Sequence, residues 1–444
     1  HEFCESYFNE VRTYLKDKPS RFHLVNEEFA IDNTIVDSKL ENLKKKIVQV
    51  ASQQKYWGEK IPAQWLLLEQ ALMKLKCDGK KVIPRSVLEG LAATHEIVTD
   101  QLDLFLRFQH DIGMILYFSI EKLKEKIVLD PKWMIDALKS LINANDMALM
   151  RNNPTVSDKV LLLKDYGILY PELIDAIWTK EQCPEFHDNK EHILLLMEQL
   201  NIIARPRSYV ASEIKVENYF LAPCMVHQAA PRDIINPKPH SEMGNSSVLC
   251  YVFVGKFLPT PIFNRLLAAC LAEWPLAKMN SKNLIFCGCS VFEVDPCHDL
   301  TLHFKDYVIF VRVTKMSKIN KTPDSTICIK VTDFISTNLS KLIGDQCQSL
   351  KFDWYIQCTL SEADCLDSMI PVTRLLNSKE STCSSHGAKH VIVSHDLLKF
   401  WFKKEKKVSA LPLNMQKKKP SERQLGRLSL KIGCELIHLG LELG

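Results

Sequence analysis

The pattern of apolar and polar positions is clearest from about residue 104 to residue 142. Leu104, Phe108 and Ile112 recur every four residues, which predicts one apolar stripe along a helix. Gly113 stands where that helix should end, because glycine readily adopts the left-handed backbone conformation of a helix C-terminus. The spacing therefore predicts a helix that stops in a tight turn.

A hairpin and a second helix are predicted after this turn. Residues 114–118 and 127–129 are short apolar runs, which predict two strands. Asp130 suits an N-cap and Pro131 suits the first helical position, so a helix should begin there. The following residues are expected to form its wide buried face: Trp133, Met134, Ala137, Leu138 and Leu141.

The chain before this segment has the order of elements expected near the end of an α/β domain. The pattern predicts helices over residues 7–15 and 37–53, a short buried strand over 27–34, and a third helix that begins at Pro62 and buries Trp65 and Leu68. A helix, strand, helix order of this kind is typical of a doubly wound α/β domain near its end.

The chain after this segment changes character at a break over residues 230–247, which is rich in proline and polar residues. Before the break, two helices and a strand (218–225) follow a winged-helix-like order, with helical faces formed by Leu173, Ile177 and Trp178 and by Leu195, Leu196, Gln199 and Leu200. Beyond it, strands rich in Val, Ile and aromatics predict an α+β layer with helices at 260–275 and 332–347 and a strand at 325–331.

Composition indicates an ordinary soluble globular protein of two to four domains. The chain has 444 residues, and no stretch approaches the roughly 18 consecutive apolar residues of a membrane helix. The fifteen cysteines are scattered, and many lie inside apolar runs, which is typical of reduced cysteines in the cytoplasm. The first residue is His rather than Met, so we expect a fragment of a longer chain.

The charge distribution argues against nucleic-acid binding. The net charge is +4, yet seven lysines and one glutamate lie between Trp401 and Pro420, so the rest of the chain is not basic. The helix that would enter a DNA groove carries Glu191 and Glu198 and few basic residues to meet phosphates.

Three stretches resemble parts of one protein family. HDIGMILYF followed by IVLDPKWMIDAL resembles the opening of the COR domain (C-terminal of Roc) of ROCO proteins. FAIDNT, the next helix and the WGEKIP stretch resemble the end of the Roc GTPase domain and its exit into COR. The final stretch, from Ser421, resembles the first helix of a death domain, with Leu436 at the position of its usual tryptophan.

The resemblance implies a multidomain α/β and α+β chain. Its expected parts are the C-terminal part of a Roc domain (1–77), a linker (78–100), a winged-helix-like, α-rich first COR half (101–230), a linker (231–245), an α+β second COR half (246–402), a lysine-rich linker (403–420) and the start of a death domain (421–444). The death-domain ending favours a parent that resembles death-associated protein kinases or invertebrate ROCO proteins.

The resemblance also implies a function. COR domains are the dimerisation devices of ROCO proteins, so we expect a homodimer through the second COR half, relaying the nucleotide state of Roc. The chain has no GxxxxGK[ST] and no NKxD, so GTP or GDP with Mg²⁺ is expected only in the complete parent, which is a candidate GTPase with or without a kinase domain. There, the resemblance puts Asp32, Asn33 and Thr34 near the guanine.

The alternative is an interaction scaffold independent of nucleotide, in which the COR and death domains recruit partners such as death-domain proteins. In either case the residues expected at structural interfaces, including one with the intramolecular Roc domain, are Trp57, Trp65, Phe108, His110, Asp111, Gly113, Trp133 and Trp178.

A metal site and an active site are the remaining possibilities. Cys287, Cys289, Cys297 and His298 form a CxC…CH pattern that lacks the CxxC geometry of structural zinc, and strand alternation should put the first two cysteines on one face. The His110-Asp111 pair has no GxSxG elbow beside it. We therefore predict neither a metal site nor an enzyme in this chain.

Overall fold

The structure is a computed structural model, and it describes residues 2–16, 21, 24–25, 27–32, 34–35, 38–55, 57–58, 60–143, 154–179, 184–210, 213–237, 243–280, 282–317, 321–346, 350–361, 365–383, 385 and 391–402. These residues belong to two compact units. The first contains residues 1–117 and 125–130, and the second contains 118–124 and the chain from 131 onward.

The first unit is a helical assembly with one small sheet. Its elements are α1 (Glu2–Leu15), α2 (Ser38–Ala51), α3 (Ala63–Cys77), β1 (Val82–Pro84), α4 (Arg85–Thr94), α5 (Thr99–Asp111) and β2 (Lys126–Val128). The core lies between α3, α4, α5 and the β1–β2 ladder, and its most deeply buried side chains are Leu68, Leu88, Phe105, Leu106 and Ile127. By contrast, α2 buries none of its residues.

Two sequence predictions for this unit were wrong. The predicted strand at 27–34 has no regular structure in its described residues, which are almost all exposed, because it finds no partner strand among the described residues. The predicted hairpin of 114–118 with 127–129 is a single bridge between Leu116 and Val128. Instead, β2 pairs antiparallel with β1, which lies in the predicted linker together with the whole of α4.

The apolar stripe predicted along α5 is also displaced. Leu104 and Ile112 are more than half exposed, whereas Leu102, Phe105 and Leu106 are buried. A helix turns about 100° per residue, so a stripe assigned one residue away faces a different side. The core lies on the side of α3 and β2, which are both outside the sequence of α5 itself.

The second unit begins with helices and small sheets. Its elements up to residue 235 are α6 (Pro131–Ile142), α7 (Pro154–Tyr166), β3 (Gly167–Leu169), α8 (Pro171–Ile177), α9 (Pro184–Asp188), α10 (Lys190–Gln199), β4 (Arg207–Val210), β5 (Glu213–Val216), β6 (Phe220–Val226) and α11 (Arg232–Ile235). β3 pairs with β6, and β4 with β5. The predicted start of α6 and the buried face of α8 are confirmed. By contrast, α10 buries Ile193, Leu194, Leu196 and Met197, so only Leu196 of its predicted face is buried.

The rest of the second unit is built on one large sheet. Its elements are β7 (Met243–Asn245), β8 (Leu249–Phe253), α12 (Thr260–Glu273), β9 (Lys278–Met279), β10 (Lys282–Asn283), β11 (Ile285–Phe286), β12 (Cys289–Asp295), β13 (His298–Lys305), β14 (Val308–Met316), α13 (Ser325–Gln346), β15 (Phe352–Gln357), β16 (Met369–Pro371), α14 (Val372–Asn377), β17 (Glu380–Thr382), β18 (Val391–Val393) and α15 (Ser394–Leu398). The strand order is β11-β12-β13-β14-β8-β15-β16, with β7 beside β14.

Two helices cover one face of this sheet. Apolar residues of α12 and α13 pack with alternate residues of β8, β12, β13 and β14 into a single large core. The strand predicted at 325–331 was wrong, because those residues form the first turns of α13. Cys328, Val331 and Ile335 recur at spacings of three and four and are fully buried, so the β-branched run was overridden by packing at the helical period.

The predicted class, a multidomain mixture of helices and sheet, is confirmed. In the portion of the chain that the structure describes, no helix has both the length and the apolar character needed to cross a membrane. The lysine-rich linker and the predicted death-domain start lie outside the described residues.

Candidate functional site

An aromatic contact joins two helices of the first unit. The ring centroid of Trp65 on α3 lies 5.7 Å from that of Phe105 and 5.7 Å from that of Phe108, both on α5. The Trp65 indole Nε1 is buried and has no hydrogen-bond partner among the described residues. Trp57, which the sequence grouped with Trp65, is 58% exposed. The structure therefore brings Trp65 and Phe108 together, and Trp57 does not belong to this contact.

The turn after α5 has the geometry that its glycine predicts. Gly113 has a φ of +75°, and its N–H donates to the carbonyl of His110 at 2.9 Å. The N–H of Met114 donates to the carbonyl of Gln109 at 2.9 Å, which completes a Schellman motif. His110 Nδ1 accepts the N–H of Tyr117 at 3.5 Å, while Asp111 is exposed at the helix end. These residues shape the end of α5 and carry no catalytic arrangement.

Arg85 links three parts of the first unit, and the sequence analysis missed it. Its guanidinium donates to Glu89 at 2.8 Å, to Asp103 at 2.8 Å and to the Tyr117 hydroxyl at 2.6 Å. The hydrogen bond that Arg85 donates to Glu89 is the main cause that raises the pKa of Arg85, against the opposing effect of burial. The Arg85–Glu89 spacing of four was the available signal, since such pairs face each other on a helix.

Two tryptophans of the second unit share one aromatic neighbour. The ring centroid of Phe186 lies 5.5 Å from that of Trp133 and 5.6 Å from that of Trp178. Trp178 also donates its indole N–H to the Ser140 hydroxyl at 2.7 Å. These contacts join α6, the end of α8 and α9 into one packed group.

The cysteines of the CxC…CH pattern do not lie together in the sheet. Gly288 has a φ of +71° between Cys287, which is exposed, and Cys289, which is buried. The expectation that both cysteines share one face was therefore wrong, because the left-handed residue between them interrupts the strand alternation. Cys297 is exposed as well, and no group of metal-ligating residues occurs in the part of the chain that the structure describes.

His298 is nevertheless held between two carboxylates. Its Nδ1 lies 2.9 Å from both carboxylate oxygens of Asp295, and its Nε2 lies 3.4 Å from Oδ2 of Asp324. Lys315 forms an ion pair with Asp324 at 3.1 Å. The ring is almost fully buried, so it ties the β12–β13 turn to the residue before α13.

Asp32 and Thr34, two of the three residues expected near a guanine in a complete Roc domain, are joined by hydrogen bonds. The N–H and the hydroxyl of Thr34 donate to the same carboxylate oxygen of Asp32, at 2.9 and 2.6 Å. These hydrogen bonds lower the pKa of the Asp32 carboxyl. Asn33 lies outside the described residues.

The second face of the large sheet carries a buried arginine that the sequence did not single out. Arg312 lies on β14 and donates to the carbonyls of Ile235 at 2.7 Å and Ile234 at 2.8 Å, both on α11. It also lines a cavity of about 400 Å³. A lone Arg within the apolar run VIFVRV was the signal available.

Comparison with known families decides what the first part of the chain is. The model of the C-terminal of Roc, COR-A domain, matches residues 62–226. Residues 62–226 are a COR-A domain, of the kind found in Roc-COR (ROCO) proteins. The COR-A domain begins just before α3 and ends with β6, and such a domain is not itself catalytic.

Curated relatives share this region. The probable serine/threonine-protein kinase pats1 of Dictyostelium discoideum is 28% identical over 172 residues, which are 37% of this chain and 5% of the relative. The cyclic GMP-binding protein C of the same organism is 26% identical over 156 residues, which are 33% of this chain and 5% of that protein. The Roc-COR-CHAT protease of Runella zeae is 27% identical over 139 residues, which are 27% of this chain and 15% of that protein. The chain thus matches only a small part of each relative's length.

A solved structure of Methanosarcina barkeri Roco2 RocCORdC bound to GDP is similar over 43% of this chain and 52% of that chain, at 16% identity and a TM-score of 0.31. The likeness is too low to carry an argument about this chain. The resemblance to ROCO proteins is confirmed through the COR-A domain, while the death-domain ending stays a prediction.

Proposed function

We propose that this chain is the dimerisation and signal-relay module of a ROCO-type GTP-binding signalling protein. In this proposal the COR-A domain receives the nucleotide state of a Roc domain, and the second COR half, over residues 246–402, forms the homodimer. The observation that carries the proposal is the COR-A domain itself, since its entry helix α3 is built into the core of the first unit.

The packing of α3 supports the relay. Leu68 is fully buried and Leu72 nearly so, and Trp65 packs edge-on against Phe105. Lys76, near the end of α3, pairs with Asp130 at 3.3 Å. A force applied to the chain before α3 would therefore be transmitted to α5 and to the residues before α6 rather than be absorbed by a flexible joint.

Exposed apolar side chains in the second COR half support self-association. The loop between β8 and α12 presents Val254 at 56% and Phe257 at 64% exposure. Large apolar side chains are costly to leave in water, and such surfaces mark interfaces in many proteins. An isologous dimer would bury two copies of this loop.

The remaining assignments follow from the same proposal. GTP or GDP with Mg²⁺ would bind the complete parent's Roc domain, to which the residues before the COR-A domain, 1–61, would contribute only the end. The parent's enzymatic activity, whether GTPase or kinase, would lie in domains other than COR. The cysteines that the structure describes are all free, which supports a reducing compartment such as the cytoplasm.

The test is the oligomeric state of the full chain. Size exclusion with light scattering over a range of protein concentrations should show a concentration-dependent dimer. Phe257→Asp should raise the dissociation constant of this dimer at least tenfold. Leu104→Asp is the matched control, because Leu104 is 56% exposed in the first unit. It should leave the dimer unchanged.

A strictly monomeric chain at all concentrations would remove the dimer from the proposal. The nucleotide-independent scaffold would then be favoured, with the death-domain region as its partner surface. Equal loss of dimer in both variants would place self-association elsewhere than the β8–α12 loop.

A further inference from the structure

A buried positive charge that has no carboxylate partner among the described residues lies in the proposed second COR half. Arg312 is 6% exposed, and its alternation with the core residues Val311 and Val313 puts it on the sheet face away from α12 and α13. Its hydrogen-bond acceptors are the carbonyls of Ile234 and Ile235 and, at 3.5 Å, the hydroxyl of Thr301. All three are neutral oxygens.

This arrangement leaves both charge and hydrogen-bonding capacity unused. The Arg312 Nε is buried and has no hydrogen-bond partner among the described residues. Burial lowers the pKa of Arg312 to about 10, so the group still carries its charge at neutral pH. An uncompensated buried guanidinium is unfavourable, and natural proteins pair such groups with carboxylates, phosphates or other anions.

The neighbouring cavity has the composition of an anion site. It has a volume of about 400 Å³, within the range of small-molecule pockets, and Arg312 is the only charged residue among its described lining residues. Asn236, Asn245, Thr359 and Ser361 line it with amides and hydroxyls. The Asn245 Oδ1 already accepts the Thr314 hydroxyl at 2.8 Å, so the group that Asn245 offers a ligand is its NH₂ donor.

We propose that this cavity binds a small phosphate ester, whose phosphate pairs with Arg312 and accepts hydrogen bonds from Asn245 and Thr359. A group with three terminal oxygens fits one guanidinium surrounded by neutral donors better than a single carboxylate does. The cavity volume exceeds that of inorganic phosphate, which leaves room for the ester's organic part. Because Arg312 also holds α11, the bound ligand would stabilise the chain that follows the COR-A domain.

The test is thermal unfolding and calorimetric titration of the full chain with four additives at matched ionic strength. These are potassium phosphate, glycerol 3-phosphate, glycerol and potassium chloride. Phosphate and glycerol 3-phosphate should raise the melting temperature saturably above the chloride baseline, with the ester acting at lower concentration. Glycerol should not. A wild-type chain with no saturable response to either phosphate compound overturns the proposal.

Three variants assign the response to this cavity. Arg312→Met keeps much of the side-chain volume and should abolish the response, whereas Arg207→Met should retain it, because Arg207 lines a different cavity. Thr359→Val should raise the dissociation constant about tenfold, the value of one hydrogen bond, and it decides the matter if Arg312→Met does not fold. A response that survives both Arg312→Met and Thr359→Val overturns the proposal.

Two carboxylates of the chain itself are the alternative to an external anion in this test. Glu362 and Asp364 follow the lining residue Ser361 in the sequence and lie outside the described residues. If wild-type protein ignores phosphate while the double variant Glu362→Gln, Asp364→Asn binds it, the anion of this cavity is internal and the external ligand is refuted. The oligomeric state is measured independently, so failure here leaves the proposed dimer untouched.

Discussion

The indole N–H of Trp178 donates to the hydroxyl of Ser140 across 2.7 Å, with the tryptophan ring fully buried. Ser140 lies on α6, and Trp178 immediately follows α8, so this bond joins two helices of the COR-A domain. The Ser140 hydroxyl in turn donates a hydrogen bond to the carbonyl of Ala137 at 2.7 Å. The indole is therefore oriented by a short polar chain inside an apolar cluster.

Removal of that acceptor should cost stability. Ser140→Ala leaves the Trp178 N–H buried and unpaired, and we expect the free energy of unfolding to fall by about 1–3 kcal/mol. Urea unfolding of the full chain measures the change. The neighbouring exposed residue serves as control, since Lys139→Ala should change stability by less than about 0.5 kcal/mol. Equal effects of the two substitutions would contradict the role of the hydrogen bond.

Trp133 should be more critical than its position near a helix start suggests. Its ring packs on Phe186, and the residue is 4% exposed. Trp133→Ala leaves a large cavity and should destabilise the chain by about 3–5 kcal/mol, enough to unfold this region. Circular dichroism melting measures it. Ile135→Ala is the control, because Ile135 is 52% exposed on the same helix. Unchanged melting of Trp133→Ala would refute the assignment.

Local signals in the sequence predicted the elements that local chemistry determines. Asp130-Pro131 predicted the start of α6, and Gly113 predicted the left-handed end of α5. Strands of the second half were predicted from runs rich in Val, Ile and aromatics, although one such run, residues 325–331, is helical.

The features that were not predicted from the sequence depend on contacts between residues that are far apart in the chain. β2 pairs with β1 across more than forty residues, and neither strand has a strong pattern alone. The burial of Arg312 depends on α11, which lies 77 residues before it. The face of α5 that is buried was likewise decided by α3, so the helix was predicted but its orientation was not.

The stability of the large-sheet region should fall as pH rises through about 6. Burial, together with the nearby Glu293 and Asp295, raises the pKa of Asp299 from 3.8 to about 6. The folded state therefore binds the proton more tightly than the unfolded state, so its contribution is full below pH 3.8 and is lost as pH rises through 6. Asp299→Asn should remove this dependence.

The matched measurement is urea unfolding at pH 5 and pH 7.5. Asp299→Asn should gain about 1–2 kcal/mol over wild type at pH 7.5, allowing for partial solvent exposure, and about half of that at pH 5. Asp353→Asn removes an exposed carboxylate from the same sheet and should show no such difference. A gain of equal size at both pH values would argue for a packing effect instead of titration.

Gly167 is a position where a methyl group should be poorly tolerated. It begins β3 with a φ of +69°, and an added Cβ would lie 2.6 Å from the backbone oxygen of Ala222 on the paired strand β6. Both the left-handed backbone and this contact oppose a side chain, so Gly167→Ala should destabilise the COR-A domain by more than about 2 kcal/mol.

Gly90 provides the opposite case within the same domain. It lies inside α4, and an added Cβ would meet no atom within 4 Å, so Gly90→Ala should stabilise the helix by about 0.5–1 kcal/mol. Thermal unfolding of the two variants should therefore shift in opposite directions. If Gly167→Ala melted at or above the wild-type temperature, β3 could not be as close to β6 as the structure has it.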